Sequence, residues 1–171
     1  SLRHRFCEFG AAGLDVRAGH FYGLFGRGLL FAAYEDRRVR VDTALDGVLV
    51  RARRGRVQGA AFTGAPSALP IDVRGLDAEL EAGRGVLLGV SGLTWRAANA
   101  EPDDNEAQRE WVCAPRLAAS APFGDCYVEY GWKKGWDYGD VPDDRADLGQ
   151  AFYGSVNLYR GPLALAVEAK D

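Results

Sequence analysis

Methionine is absent from the 171 residues, histidine occurs twice, cysteine three times, and of 21 basic residues only Lys133, Lys134 and Lys170 are lysines. Each scarcity removes a class. Three cysteines, Cys7, Cys113 and Cys126, give no disulfide framework. Cys113 and Cys126 fall on strands expected to be neighbours, which leaves a pairing open, and the plainer reading is two separate small apolar residues. His4 and His20 have no close-spaced ligand partner, so no metal site is expected. A formal net charge of −3 with no basic stripe argues against nucleic acid. No apolar run, "GLLFAA" included, approaches the ~18 residues of a membrane helix. Membrane strands are not excluded, because a barrel carries apolar residues only at every second position.

What is present is glycine, 22 residues, and rings: 8 Phe, 7 Tyr and 4 Trp. That much glycine disfavours helix. Period-two alternation runs from end to end. Val48, Val50 and Ala52 oppose Leu49, Arg51 and Arg53. Cys126, Val128, Tyr130 and Trp132 oppose Tyr127, Glu129, Gly131 and Lys133. In "IDVRGLDAELEA" the apolar parity changes at Gly75, the signature of a β-bulge. Pro115 in "REWVCAPRLAAS" predicts an exposed or irregular point in a strand. About ten strands and no helix are expected.

Connections carry the architecture. Short turns near 53–56, 82–85, 120–125 and 159–162 alternate with longer connections at 64–70, 97–108 and 133–147. An up-and-down barrel across an outer membrane places short turns on one side and long loops on the other. The fold expected is all-β, an antiparallel up-and-down transmembrane β-barrel, with residues 1–171 forming one barrel domain or part of one. Rings near strand ends (Phe21, Tyr22, Trp95, Trp111, Trp132, Trp136, Tyr138 and Tyr159) suit girdles at a lipid boundary. The chain opens in strand-like alternation and ends Ala169-Lys170-Asp171 rather than on an aromatic residue, so the ten strands are expected to be a fragment of a larger barrel.

Segment 20–45 is too long and too apolar for an exposed loop. It is expected to fold into the lumen, with Arg27, Glu35, Asp36 and Arg37 in a charge network. The alternative makes 28–34 and 37–42 two ordinary wall strands. Polar strand faces add Arg17, Arg51, Arg53, Asp77, Glu79 and Glu129 to the lumen charges, with Asp77 and Glu79 expected either to set ion preference or to bind Arg51 and Arg53 across strands.

The run "GHFYGLFGRGLLFAAYEDR" with "VDTALDGV" downstream resembles a motif in a family of uncharacterised bacterial outer-membrane β-barrel proteins, with His20 where the family run carries Asn. The likeness covers Gly19 to Gly47 closely, and "NLYRGPLALAVEAKD" is similar to a later hairpin of that family. The resemblance implies a transmembrane barrel in the bacterial outer membrane and no assigned activity.

Enzymatic chemistry is poorly represented. "GVSGL" around Ser91 misses the nucleophile-elbow spacing and lies in a strand. "GLFGRG" lacks the helix and the spacing of a phosphate loop. The acidic stretch with Asp137, Asp140, Asp143, Asp144 and Asp147 lacks calcium-loop spacing. No catalytic residue, cofactor or metal is therefore expected. The function expected is a passive pore or structural scaffold contacting outer-membrane lipid and, if open, small solutes or ions. The alternative is a soluble lipocalin-like barrel holding a small apolar ligand.

Overall fold

The computed structural model describes residues 5–36, 38, 41–67, 69–97, 110–134 and 148–171. Ten strands form one sheet: β1 (Phe6–Ala11), β2 (Leu14–Phe21), β7 (Leu45–Arg54), β8 (Val57–Pro66), β9 (Ile71–Gly83), β10 (Val86–Ala97), β11 (Glu110–Ala121), β12 (Gly124–Lys134), β13 (Leu148–Arg160) and β14 (Leu163–Lys170). The connection from β2 to β7 contains β3 (Gly23–Leu24), β4 (Ala32–Ala33), β5 (Glu35–Asp36) and β6 (Val41–Asp42). Every neighbour in the large sheet is antiparallel and next in chain order apart from that insertion. The sheet is open, with β1 and β14 at its edges. The fold is all-β, and no helix occurs among the described residues.

The alternation of connections has a spatial meaning. β1–β2, β7–β8, β9–β10, β11–β12 and β13–β14 are each joined by two residues, and all five turns lie at one end of the sheet. Such turns suit the right-handed twist of paired strands. The strand ends Phe21 and Leu45, Pro66 and Ile71, Ala97 and Glu110, and Lys134 and Leu148 lie at the other end.

The two faces exchange chemistry midway along the strands. On β9 the inward parity reads Ile71, Val73, Gly75, Asp77, Glu79, while the outward parity reads Asp72, Arg74, Leu76, Ala78, Leu80. Register with β8 and β10 is continuous through Gly75, so the expected bulge is not there; the shift in this sheet falls between Val86 and Leu87 beside the turn. Gly75 instead makes room, since a Cβ there would run into the rings of Phe62 and Phe25. The same exchange occurs on β7, where Leu45 and Leu49 face inward toward the loop end and Arg51 and Arg53 toward the turns.

Outward, the turn-side half of the sheet is an apolar belt. Val48, Leu76, Leu88, Val90, Leu117, Val128, Val156, Leu165 and Val167 are all exposed, Leu76 to 62% and Leu165 to 57%. Toward the loop end the same face turns to Asp46, Arg74, Thr94 and Arg96, with Trp111 opposite Thr94 and Trp132 opposite Cys113. Pro115 is exposed on this face and interrupts the β11–β12 pairing between Cys113 and Arg116.

Inward, the loop-side half is dry. Phe21, Leu45, Leu49, Phe62 and Val73 of the wall pack with Phe25 and Ala33 of the insertion, flanked by Phe31 and Trp95. Phe31 stacks on Phe62 at 4.5 Å, and Phe21 meets the same ring edge-on at 5.7 Å. The insertion is thus a strap lying on the inner face, not two wall strands: Phe21 of β2 already pairs with Leu45 of β7. The strap also reports curvature. Phe25 touches Phe62 on β8 at 5.5 Å, while its neighbour Gly26 lies against Glu129 on β12. Those strands are four steps apart, ~19 Å along a sheet at about 4.8 Å per step. Adjacent residues can meet both only because the sheet curls around them.

Candidate functional site

The turn-side half of the inner face holds the ionic groups, and Arg116 on β11 is their centre. Its guanidinium is 1% exposed and donates to Ser91 Oγ at 2.6 Å, Asp77 Oδ2 at 2.9 Å and Glu79 Oε1 at 2.6 Å. Ser91 in turn donates to Asp77 Oδ1 at 2.6 Å. Asp77 and Glu79 lie two residues apart on one strand face, so a planar fork can bind both carboxylates. To reach them Arg116 lies across β10 over Gly89, where a Cβ would stand 2.5 Å from Nε. A charge so enclosed is tolerated because its donors are saturated.

The second cluster joins the strap to the far wall. The Arg27 amide donates to Tyr127 Oη at 3.2 Å and to Glu129 Oε2 at 3.3 Å. Its guanidinium donates to Ser155 Oγ at 3.0 Å and Tyr153 Oη at 3.2 Å, and lies 4.6 Å above the Tyr127 ring. The Tyr127 hydroxyl donates to Glu129 Oε2 at 2.8 Å. Glu129 is fully buried, and its Oε1 has no hydrogen-bond partner among the described residues. Gly26 makes the approach feasible: its φ is +54°, and a Cβ would lie 2.7 Å from both Glu129 Oε1 and Tyr127 Oη.

A cavity of about 500 Å³ lies between strap and wall, bordered by Phe25 and Phe31 above and by Asp15, Arg51, Arg53 and Glu79 below.

The ten expected lumen charges therefore divide among separate sites. Asp77, Glu79, Glu129 and Arg27 belong to the two clusters. Arg51 and Arg53 line the cavity, and Arg53 also makes an exposed 3.7 Å pair with Glu81. Asp77 and Glu79 do not bind Arg51 or Arg53: on β8, between them, Gln58 itself donates to Glu79, whereas Gly89 leaves the route from β11 clear. Arg17 pairs with Glu8 at 2.9 Å and covers the Phe6 ring at 3.9 Å. Glu35 and Asp36 form β5 against β6, and Asp36 accepts from the Arg38 amide at 2.8 Å, while the Arg27 guanidinium bonds to Tyr153 and Ser155. Arg37 and the acidic stretch 137–147 lie outside the described residues.

The expected aromatic girdle divides. Phe21 and Trp95 point into the core rather than toward a boundary girdle, while Trp111 and Trp132 face outward; Trp136 and Tyr138 lie outside the described residues. Tyr159 stands at the turn end and donates to Asp125 at 3.0 Å. Cys113 pairs with Trp132 and Cys126 with Ala119, so the two thiols are far apart along neighbouring strands, and both are free. Ser91 is enclosed by Asp77 and Arg116, away from His20 on β2. No cluster that could hold a metal ion occurs among the described residues.

Sequence reasoning missed Arg116, Tyr127, Tyr153 and Ser155. A signal existed for the first: one charge within "APRLAA" on an alternating strand has to find an ionic partner if its parity faces inward.

One family model matches residues 1–171, that of a family of unknown function (DUF6029). No curated protein and no solved structure matches the chain.

Proposed function

The chain belongs to the DUF6029 family, whose function is unknown, and from its own two faces we propose that it forms the wall of an outer-membrane β-barrel, acting as a pore or structural scaffold. The observation carrying this reading is the uncharged outward belt on the turn-side half. Water would favour the reverse arrangement, because about 25 cal/mol is lost for each Å² of apolar surface left wet. A bilayer favours what is found. Belt height agrees in order of magnitude: about nine residues at roughly 3.3 Å, tilted ~40°, span roughly 23 Å. Trp111 and Trp132 stand where the belt meets charged residues, as boundary rings do. Turns confined to one end and long connections to the other add independent support.

The soluble apolar-ligand barrel is less well supported. Its binding space would be the dry inner half, and Phe25, Phe31 and Ala33 of the chain itself occupy much of that half, leaving a cavity of about 270 Å³ between Ala33, Leu45, Ile71 and Trp95. The discriminating experiment refolds the whole chain into phosphatidylethanolamine–phosphatidylglycerol vesicles and follows flotation and protease protection. Insertion with protected strands is expected. A chain that stays soluble without detergent, and whose tryptophan fluorescence responds to a fatty acid, would overturn the proposal in favour of the soluble barrel.

A further inference from the structure

Resting on the membrane reading above, we infer that residues 22–34 are a resident gate closing the barrel's interior, and that the Arg27 contacts to β12 and β13 are its latch. Three observations carry this. The strap enters from β2 and grips β12 and β13, strands far around the sheet, so it spans the concave face of the curled sheet instead of hugging one wall. Its Phe25 and Phe31 join Phe62 in a dry layer that no hydrated ion would cross. Below that layer the inner surface is ionic and the cavity holds Asp15, Arg51 and Arg53, so water entering from the turn end meets a blind vestibule.

The two attachments differ in kind. Phe25 and Phe31 are held by ring packing on β8, whereas the opposite attachment is mainly polar, made by Arg27 with Gly26 beside it, and only Leu29 and Leu30, lying against Gly131 of β12, add apolar contact among the described residues. Bonds of a charged donor to hydroxyls can be exchanged for water at modest cost, and rings packed in a dry core cannot. The strap would therefore release at β12 and β13 first and swing about its β2 and β7 anchors. The β3–β4 pairing, Gly23 with Ala33 and Leu24 with Ala32, lets it move as one hairpin.

The test is single-channel recording in potassium chloride on the full chain, with insertion scored separately by protease protection in the same lipid. Wild type is expected to be inserted and almost silent. Arg27→Ala should raise the open fraction roughly tenfold or more, as loss of charged hydrogen bonds implies. Because Arg27→Ala could disturb folding, Tyr153→Phe with Ser155→Ala removes both acceptors of the guanidinium while keeping Arg27 and the ring; it should open the path too. Inserted variants as silent as wild type would overturn the latch, and so would a wild type that conducts as freely as they do. Failure of all forms to insert would overturn the membrane reading and the gate with it, an outcome the protection assay separates from the other two.

Discussion

Val90 gives the sharpest way to challenge the assignment of the outer face. It lies on β10 in the middle of the belt, paired with Ala78 and Pro115, and it is 46% exposed. Arginine at a bilayer midplane costs a barrel about 2–4 kcal/mol, falling to roughly 0–1 near the interface. At 1.4 kcal/mol per decade, Val90→Arg should lower the equilibrium constant for folding into vesicles roughly 25- to 700-fold. Thr94 supplies the internal comparison. It is on the same strand and face, four residues nearer the loop end, about 13 Å along the chain, and paired with Arg74 and Trp111. Thr94→Arg should therefore change the same constant by less than about fivefold. The assay is reversible urea unfolding from lipid vesicles, read by tryptophan emission. In water both positions are ordinary surface sites, where substitutions stay within about 0.5 kcal/mol. Equal effects at the two sites would refute the reasoning, because they would mean that position 90 senses no hydrocarbon.

Three other outcomes follow from the inner face. Arg116→Met strands Asp77 and Glu79 in an enclosed site and should destabilise by about 3–5 kcal/mol; adding Asp77→Asn and Glu79→Gln should recover much of that loss in the same unfolding assay. Gly26→Ala must hold a left-handed backbone and push on Glu129 and Tyr127, so a loss of at least ~1 kcal/mol is expected, together with faster proteolysis of the strap. Cys113→Ser with Cys126→Ser should leave mobility under oxidising and reducing conditions unchanged, since the register keeps these thiols apart.

How much of this was legible depended on which physical variable the sequence encodes. Alternation announces the strands because parity fixes which residues share a face, and four of the five tight turns stand out between alternating runs, while the one at 12–13 does not. The reading at Gly75 shows the limit. A backbone that slips by one residue and a backbone that continues into the opposite environment produce the same string, with apolar residues moving from one parity to the other. β9 does the second: Ile71 and Val73 face a dry core and Asp77 and Glu79 an ionic one, on one uninterrupted strand. The strap was visible as a segment unsuited to a loop. Its partners were not, because Arg27 meets Ser155 over a separation of 128 residues and nothing local records that distance. Pairing Asp77 with Arg51 failed for a related reason. Strand order alone makes β7 and β11 equally near to β9, and the choice follows Gln58 taking up Glu79 on one side while Gly89 opens the route on the other.

The longest connection, from β2 to β7, also shapes how the protein would assemble. Five hairpins close over two residues each, and they can form quickly and independently. Joining β2 to β7 must first bring together ends separated by 23 residues, an entropic cost about 2 kcal/mol above that of a tight hairpin. Contacts of Phe25 and Phe31 with Phe62 are what offset it, so this seam should be the late event in folding and the first to part when denaturant is added.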